Sequence, residues 1–313
     1  MMKTALIFGV NGGIGRALSA HLRALGVNIL GTMRPGGILP GVLSLALTDT
    51  DSLGSCPLPD ADVAFFCAGI TRLADCAANP DHSRLVNVEA PVLLCRRMVE
   101  RGTRFVYLSS SSVFDGTRPH VPADAPYSPR TEYGRQKAAA EETLLRMGGH
   151  VSIVRLTKVL GPGSIITSWI NTLNAGETIR PFSNLTLAPV ALGKTAALLA
   201  EIGLHGSDGI WQMSGAEDVS YAEAAHALAG EMGMRHSLVL PWTVEASGTQ
   251  LEDAPPYTSL DTRRLNELAE EREYPQEWFA PELLQAILRN ALREHGLRHS
   301  TALDAPSPSS GGH

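Results

Sequence analysis

The stretch Thr4-Ala-Leu-Ile-Phe-Gly-Val-Asn-Gly-Gly-Ile-Gly15 decides the fold, because a short apolar run leads directly into closely spaced glycines. A run of this kind is typical of a buried parallel strand. From Ile14 to Leu25 apolar side chains recur at helical spacing, and Gly26 ends the repeat. This order of strand, glycine-rich turn and helix predicts the first unit of a parallel α/β sheet.

The glycines of this turn form the pattern G-x-x-G-x-x-G. The first permits a tight turn, the second lets the backbone approach a pyrophosphate, and the third lets helix and strand pack closely. Phosphates bound here would lie against free N–H groups at the helix N-terminus. The turn is therefore predicted to bind a dinucleotide through Gly9, Asn11, Gly12, Gly13, Ile14 and Gly15.

Strand-like and helix-like segments continue to alternate as far as about residue 160. We predict further strands over 27–31, 62–68, 104–109 and 151–156, and a long helix over 131–147. The alternation predicts a Rossmann-type, doubly wound parallel sheet with right-handed crossovers. We assign 1–160 to this domain with a return segment near 186–206, 161–298 mainly to a smaller, discontinuous substrate domain, and 299–313 to a disordered tail.

Composition excludes several classes of protein. The chain of 313 residues is 44% hydrophobic, so it can form a sizeable core. It carries a net charge of −6 and no Lys/Arg-rich run, so it lacks the electrostatic footprint of a nucleic-acid-binding protein. No apolar stretch is long enough for a membrane span or a secretion signal. The four cysteines form no C-x-x-C pair, and we expect reduced thiols, a cytoplasmic location and no metal site.

The end of the second strand bears on the choice between NADP(H) and NAD(H). An Asp or Glu here would bind the ribose hydroxyls of NAD, but this chain has Thr32-Met-Arg34. A carboxylate would repel a 2′-phosphate, whereas an arginine pairs with it. The sequence therefore favours NADP(H), with NAD(H) as the alternative if Arg34 is only a solvated loop charge.

Two further motifs carry the groups for proton transfer. Tyr133 and Lys137 stand four residues apart, so a helix would place phenol and ammonium on one face. A lysine cation beside a tyrosine, together with the positive charge of an oxidised nicotinamide, stabilises phenolate, and we expect this to move the pKa of Tyr133 down towards the operating pH. The run Leu108-Ser-Ser-Ser-Ser-Val-Phe-Asp-Gly116 follows a predicted strand, where a hydroxyl can orient a substrate carbonyl group.

These motifs, in this order, resemble the extended short-chain dehydrogenase/reductase family. The resemblance covers nearly the whole chain and includes Asn87-Val-Glu-Ala-Pro91 and Val154-Arg-Leu-Thr-Lys-Val-Leu-Gly-Pro162. Within the family, Val113-Phe-Asp-Gly116 is similar to a segment of dTDP-4-dehydrorhamnose reductases. The same holds for Pro256-Tyr-Thr-Ser-Leu-Asp-Thr-Arg-Arg-Leu265, followed by Trp278.

The resemblance implies roles for particular residues. Relatives carry the catalytic Ser or Thr three residues before the Val of their V-F-D-G segment, which is Ser110 here, with Ser109 and Ser111 as alternatives. The implied catalytic set is Ser110, Tyr133 and Lys137. The implied cofactor contacts, besides the glycine turn and Arg34, are Asp49, Cys67, Ala68, Gly69, Tyr133 and Lys137.

Some of these assignments have alternatives. The Asp usual in the third strand is replaced by Ala46, which leaves Asp49 either as the adenine-side residue or as a turn residue. Ser111 and Arg180 are candidates for substrate contact. Cations that could meet a diphosphate, or else are surface charges, are Arg72, Lys158 and Arg180.

The reaction implied is reduction of a keto group on a nucleotide sugar or related small carbonyl compound. Reduced nicotinamide gives hydride, Tyr133 gives the proton, Ser110 holds the oxygen, and Lys137 restrains the ribose and tunes Tyr133. Dehydration would need a further acid and base, but Ser111 and Ser112 follow Ser110. A sugar-nucleotide 4-epimerase is the first alternative, and an NADP preference argues against it.

An alternative of another class is a non-catalytic NADP-binding regulatory subunit, since the β subunit of methionine adenosyltransferase resembles the same reductases. The intact set of Ser110, Tyr133 and Lys137 weighs against this reading. A homodimer is a further expectation from the resemblance.

Overall fold

The computed structural model describes residues 2–37, 41–206, 208–249, 253–273 and 283–296. The predicted tail and Trp278 lie outside these residues. The strands are β1 (Thr4–Phe8), β2 (Asn28–Met33), β3 (Val42–Ser44), β4 (Val63–Phe66), β5 (Arg104–Ser110), β6 (Val151–Leu156), β7 (Lys158–Leu160), β8 (Thr186–Leu187), β9 (Pro189–Ala191), β10 (Gly209–Met213) and β11 (Val219–Ser220).

The helices alternate with the strands over the first half of the chain and dominate the second. They are α1 (Gly13–Ala24), α2 (Thr50–Ser55), α3 (Leu73–Ala78), α4 (Pro80–Arg84), α5 (Ala90–Val99), α6 (Glu132–Leu145), α7 (Ile165–Asn174), α8 (Leu192–His205), α9 (Tyr221–Glu231), α10 (Val244–Ser247), α11 (Arg263–Glu271) and α12 (Leu284–Glu294). A π-turn, Leu85–Glu89, joins α4 to α5. None of the helices in the described ranges is long and apolar enough to cross a membrane.

Seven strands form one parallel sheet in the order β10-β6-β5-β4-β1-β2-β3. The order runs outward in both directions from β1, as a doubly wound sheet requires. The predicted Rossmann-type fold is confirmed. The sequence prediction missed β10, because its segment starts with a glycine and contains the polar Gln212, so it shows no apolar run.

Apolar side chains from alternate strand positions fill two cores, one on each face of the sheet. On one face α1, α8 and α11 pack against the strands, and on the other face α2, α5 and α6 do so. A third core lies among α7, α9 and α12. Helix α8 therefore returns to the sheet where a return segment is predicted, while the division into a cofactor domain and a substrate domain stays a prediction.

Candidate active site

A cavity of 480 Å³ opens at the carboxyl edge of the sheet, where ligands of such folds bind. One wall comes from the ends of β4, β5 and β6 and from the start of α6. The facing wall comes from the α7 region, the β8 region and the loop around Pro255, so the cavity lies between the sheet and the second half of the chain.

Two glycines of the turn at the start of α1 leave no room for a side chain. Gly9 has a φ of +84°, which favours glycine, and an added Cβ would lie 3.0 Å from backbone atoms of Ala68. A Cβ on Gly15 would collide with the carbonyl oxygen of Gly9. Gly12 caps α1, and no side chain bonds to the cap or adds an acidic group to the first turn. The N-terminus of α1 is thus open to an anion.

Helix α6 carries the phenol and the ammonium of the candidate site. The hydroxyl of Thr131 accepts from the N–H of Gly134 at 3.1 Å, so α6 begins with Tyr133 in its first turn. Tyr133 is 8% exposed and Lys137 is 3% exposed, and both line the cavity. A Cβ on Gly134 would collide with the carbonyl oxygen of Ser112. The glycine therefore lets the helix approach the serine run.

The serine run turns sharply at its second residue. Strand β5 ends at Ser110, and a short 3-10 turn follows it. Ser110 Oγ accepts from the N–H of Ser112 at 3.2 Å, and the Oγ atoms of these two residues lie 3.1 Å apart. Ser109 also lines the cavity, but its hydroxyl is bonded to the buried carboxylate of Glu141. The structure brings Ser110, Tyr133 and Lys137 to one wall of the cavity, and Ser111 lines it too.

Burial dominates the electrostatics of these groups. It lowers the pKa of Lys137 to about 8, against the opposing attraction of the Glu141 charge. It also raises the pKa of Tyr133 above its ordinary value, while a hydrogen bond with Ser110 opposes the shift. The expected lowering of the Tyr133 pKa by its lysine neighbour is therefore wrong for the protein alone. Burial of the phenol is the main reason, and Lys137 Nζ donates to Tyr107 and to the carbonyl of Leu108 rather than to Tyr133.

A buried ion pair stands behind the site. Arg155 and Glu141 are 1% and 0% exposed at their side chains, with Nη2 and Oε2 2.7 Å apart. The Tyr127 hydroxyl donates to the same carboxylate at 3.0 Å. The sequence analysis missed this pair, although Glu141 stands one helical turn beyond Lys137 on the same face. That spacing could have indicated Glu141, whereas Arg155 lies on β6 and its pairing depends on the fold.

The remaining cofactor candidates differ in how closely they approach the cavity. Cys67 and Ala68 line it, and burial raises the pKa of the Cys67 thiol to about 12. Gly69 lies beside the buried Asn87 side chain. Asp49 caps α2, with its two carboxylate oxygens accepting from the N–H and hydroxyl of Ser52. This geometry favours the turn reading of Asp49.

The candidate cations differ in their exposure and in whether they line the cavity. Arg34 is exposed after β2. Arg180 is exposed, stands over the ring of Trp242 at 5.4 Å and is not part of the cavity lining. Lys158 lines the cavity, with its ammonium 6.0 Å from the ring centre of Tyr221. Among the residues that the structure describes, no three metal-ligating side chains cluster.

Known proteins resemble this chain over most of its length. The family model described as the RmlD substrate binding domain matches residues 2–288. A probable low-salt glycan biosynthesis reductase, Agl14, of Haloferax volcanii is 26% identical over 75% of this chain and 82% of its own. Methionine adenosyltransferase 2 subunit beta of Xenopus tropicalis is 25% identical over 79% of this chain and 77% of its own.

Among solved structures, a dTDP-4-dehydrorhamnose reductase from Bacillus anthracis in complex with NADP superimposes with a TM-score of 0.80. It is 19% identical, and the match covers 94% of this chain and 100% of that one. At this level of identity the likeness concerns the fold.

Proposed function

The chain belongs to the RmlD substrate binding domain family, and from that premise we propose that it is an NAD(P)-dependent oxidoreductase. It reduces a keto group of a nucleotide sugar or a related small carbonyl compound. The observation that carries this proposal is the convergence of Ser110, Tyr133 and Lys137 on one wall of a cavity at the carboxyl edge of the sheet.

The residues present fit a dinucleotide cofactor. The turn from Gly9 to Gly15 is tight, because Gly9 and Gly15 admit no Cβ, and it leads into the N-terminus of α1, which has no side-chain cap and favours phosphate. Cys67, Ala68 and Gly69 follow the next strand of the sheet. When bound, the reduced nicotinamide supplies the hydride. Arg34 stands at the end of β2, where it would pair with a 2′-phosphate, so NADP(H) is the favoured form.

The chain's own residues handle the proton and the oxygen. Ser110 holds the substrate carbonyl oxygen, and Tyr133 donates a proton to that oxygen as it gains electrons. The raised pKa of Tyr133 keeps the phenol protonated until this transfer. The ammonium of Lys137 has three N–H donors, and two of them form hydrogen bonds to the Tyr107 hydroxyl and the Leu108 carbonyl. Its remaining donor restrains the cofactor ribose.

Two further residues of the cavity lining are the candidates for substrate contact. Ser111 and Lys158 line the cavity, and the ammonium of Lys158 suits a phosphate-bearing substrate. The separate core among α7, α9 and α12 supports the predicted division into a cofactor domain over 1–160, with a return segment, and a substrate domain over 161–298. Free thiols at all four cysteines agree with the predicted cytoplasmic location. The homodimer stays a prediction.

Oxidation of NADPH by the purified protein tests the proposal. The substrates are a panel of 4-keto sugar nucleotides and simpler ketones, and we expect turnover of at least one nucleotide-linked ketone. Interconversion of sugar 4-epimers with no net oxidation of the cofactor would support the epimerase alternative. Tight NADPH binding without turnover, together with co-purification of a second polypeptide, would support the regulatory-subunit alternative.

A further inference from the structure

The backbone carbonyl of Asn87, in the π-turn Leu85–Glu89, has no regular α-helical hydrogen-bond donor. In an α-helix the Asn87 carbonyl would accept from the N–H of residue 91. Residue 91 is Pro91, which has no N–H. The stretch forms a π-turn here, in which the N–H of Ala90 reaches back five residues to Leu85. The buried Asn87 carbonyl thereby lacks the i+4 donor of a regular helix.

Tyr107 of β5 supplies that donor. Its hydroxyl donates to the Asn87 carbonyl at 3.0 Å. Burial raises the pKa of Tyr107, so the phenol stays protonated. Since its single hydrogen is directed at Asn87, the hydroxyl turns its lone pairs elsewhere, and Lys137 Nζ donates to it at 3.1 Å. The orientation of the acceptor that meets Lys137 is thus set by the π-turn.

The ring of Tyr107 is itself held in place. It is fully buried, and its centre lies 6.1 Å from that of Phe66 on the neighbouring strand. Lys137 Nζ lies 4.5 Å from the Tyr107 ring centre, compared with 5.8 Å from that of Tyr133. Tyr107 therefore holds the ammonium of Lys137. The contacts involved come from β4 and β5, from α6 and from the π-turn.

We propose that Tyr107 is a positioning residue that ties Lys137 to the π-turn at Asn87 and so fixes the ammonium beside Tyr133. The significance for catalysis rests on the proposed function, whereas the tether itself does not. The three residues are distant in the sequence: Asn87 and Tyr107 are 20 positions apart, and Tyr107 and Lys137 are 30 positions apart.

The tether has a measurable electrostatic consequence. An acceptor oxygen stabilises the ammonium more than the neutral amine, so Tyr107 opposes the lowering of the Lys137 pKa by burial. The titratable groups that face Lys137 from its own helix and from the elements packed against it are Glu141, Tyr133, Tyr107, Cys67 and Cys76. Replacing Tyr107 by Phe keeps the ring and removes the hydroxyl that accepts from Lys137 and donates to the Asn87 carbonyl, so Lys137 should lose its charge at lower pH.

The experiment compares Tyr107→Phe with Thr103→Val. Thr103 is buried and its hydroxyl donates to the carbonyl of Ala61 at 2.8 Å, so the control removes a similar bond far from Lys137. The chain has only four lysines, Lys3, Lys137, Lys158 and Lys194. Titration of ¹⁵Nζ-labelled lysine by NMR, with Lys137→Met to assign the signal, reports the charge of Lys137 without any turnover.

We expect Tyr107→Phe to lower the titration midpoint of Lys137 by about one pH unit, the scale of one hydrogen bond to a charged group. The alkaline limb of kcat should move down by the same amount, and Thr103→Val should move neither. An unchanged Lys137 midpoint overturns the tether. A shifted midpoint in a protein that turns over no ketone upholds the tether and counts against the proposed function.

A second probe covers the case in which Tyr107→Phe does not fold. Fluorotyrosine placed at position 107 keeps the ring and the hydroxyl but makes the oxygen a weaker acceptor. We expect a smaller downward shift of the Lys137 midpoint in this protein. A midpoint equal to that of the unmodified chain overturns the inference.

Discussion

The corner between β5 and α6 differs sharply from the end of β2, although both are proposed to contact the same cofactor. At the corner, Tyr133 and Lys137 are buried and bonded, and Glu141 and Arg155 stand behind them. At the end of β2, Arg34 is exposed to solvent. Groups that transfer protons must be held before the ligand arrives, whereas a group that only selects the cofactor can acquire its partner on binding. Substitutions at the corner should therefore change the reaction rate or the stability, whereas substitution of Arg34 should change the cofactor preference.

The largest effect is expected from Tyr133→Phe, which removes the transferable proton and little else. We expect kcat to fall by about 10²- to 10⁴-fold, the range for loss of a general acid. NADP(H) affinity should stay nearly unchanged, which a fluorescence titration would show. Undiminished turnover would mean that another group donates the proton. If the protein is a regulatory subunit, the same change should leave its partner's activity untouched.

Next comes the buried pair behind the corner. Arg155→Met leaves Glu141 as an uncompensated buried charge, and we expect a loss of about 3–5 kcal/mol in the free energy of unfolding. Urea unfolding measures it. Arg146→Met is the matched control, because Arg146 pairs with Glu142 on the exposed face of the same helix and should contribute less than about 1 kcal/mol. If the two variants lost the same free energy of unfolding, the buried ion pair would contribute no more to stability than the exposed one.

A smaller effect on rate is expected from the serine run. Ser110→Ala should lower kcat by about 10- to 1,000-fold, the scale of losing one donor to the carbonyl oxygen. Ser109→Ala should cost about 1–3 kcal/mol of stability instead, because its hydroxyl bonds to the buried Glu141 carboxylate. Single-turnover rates of the Ser110→Ala and Ser111→Ala variants show which of the two hydroxyls orients the carbonyl oxygen. A full-rate Ser110→Ala enzyme beside a crippled Ser111→Ala enzyme would assign the orienting hydroxyl to Ser111.

The smallest effect is expected at the exposed end of β2. Arg34→Asp should narrow the preference for NADPH over NADH by about 10- to 100-fold, the scale of losing one charge-assisted bond and adding a repulsion. The thermal midpoint should not move, because the side chain is solvated in the free protein. Dissociation constants for both cofactors provide the measurement. Equal or tighter binding of NADH by the unmodified chain would contradict the predicted NADP preference.

Much of the fold could be predicted because its signals are local. The strand at Thr4–Phe8, the glycine turn and α1 follow one another closely along the chain, and the helix predicted over 131–147 is found as α6. Strand β10 lacked such a signal and depends on pairing with β6. Similarly, the spacing of Tyr133 and Lys137 predicts a shared helix face but not the direction in which Lys137 donates.

The sequence by itself determined the order of strands and helices, the glycine turn and the candidate residues for proton transfer. Short-range sterics and side-chain periodicity decide these, and both act between near neighbours. Only the tertiary structure decided the direction of the Tyr133 pKa shift, the pairing of Glu141 with Arg155 and the tether from Asn87 through Tyr107 to Lys137. These depend on burial and on contacts across strands, because a charge or hydroxyl removed from water responds to whatever the fold places around it.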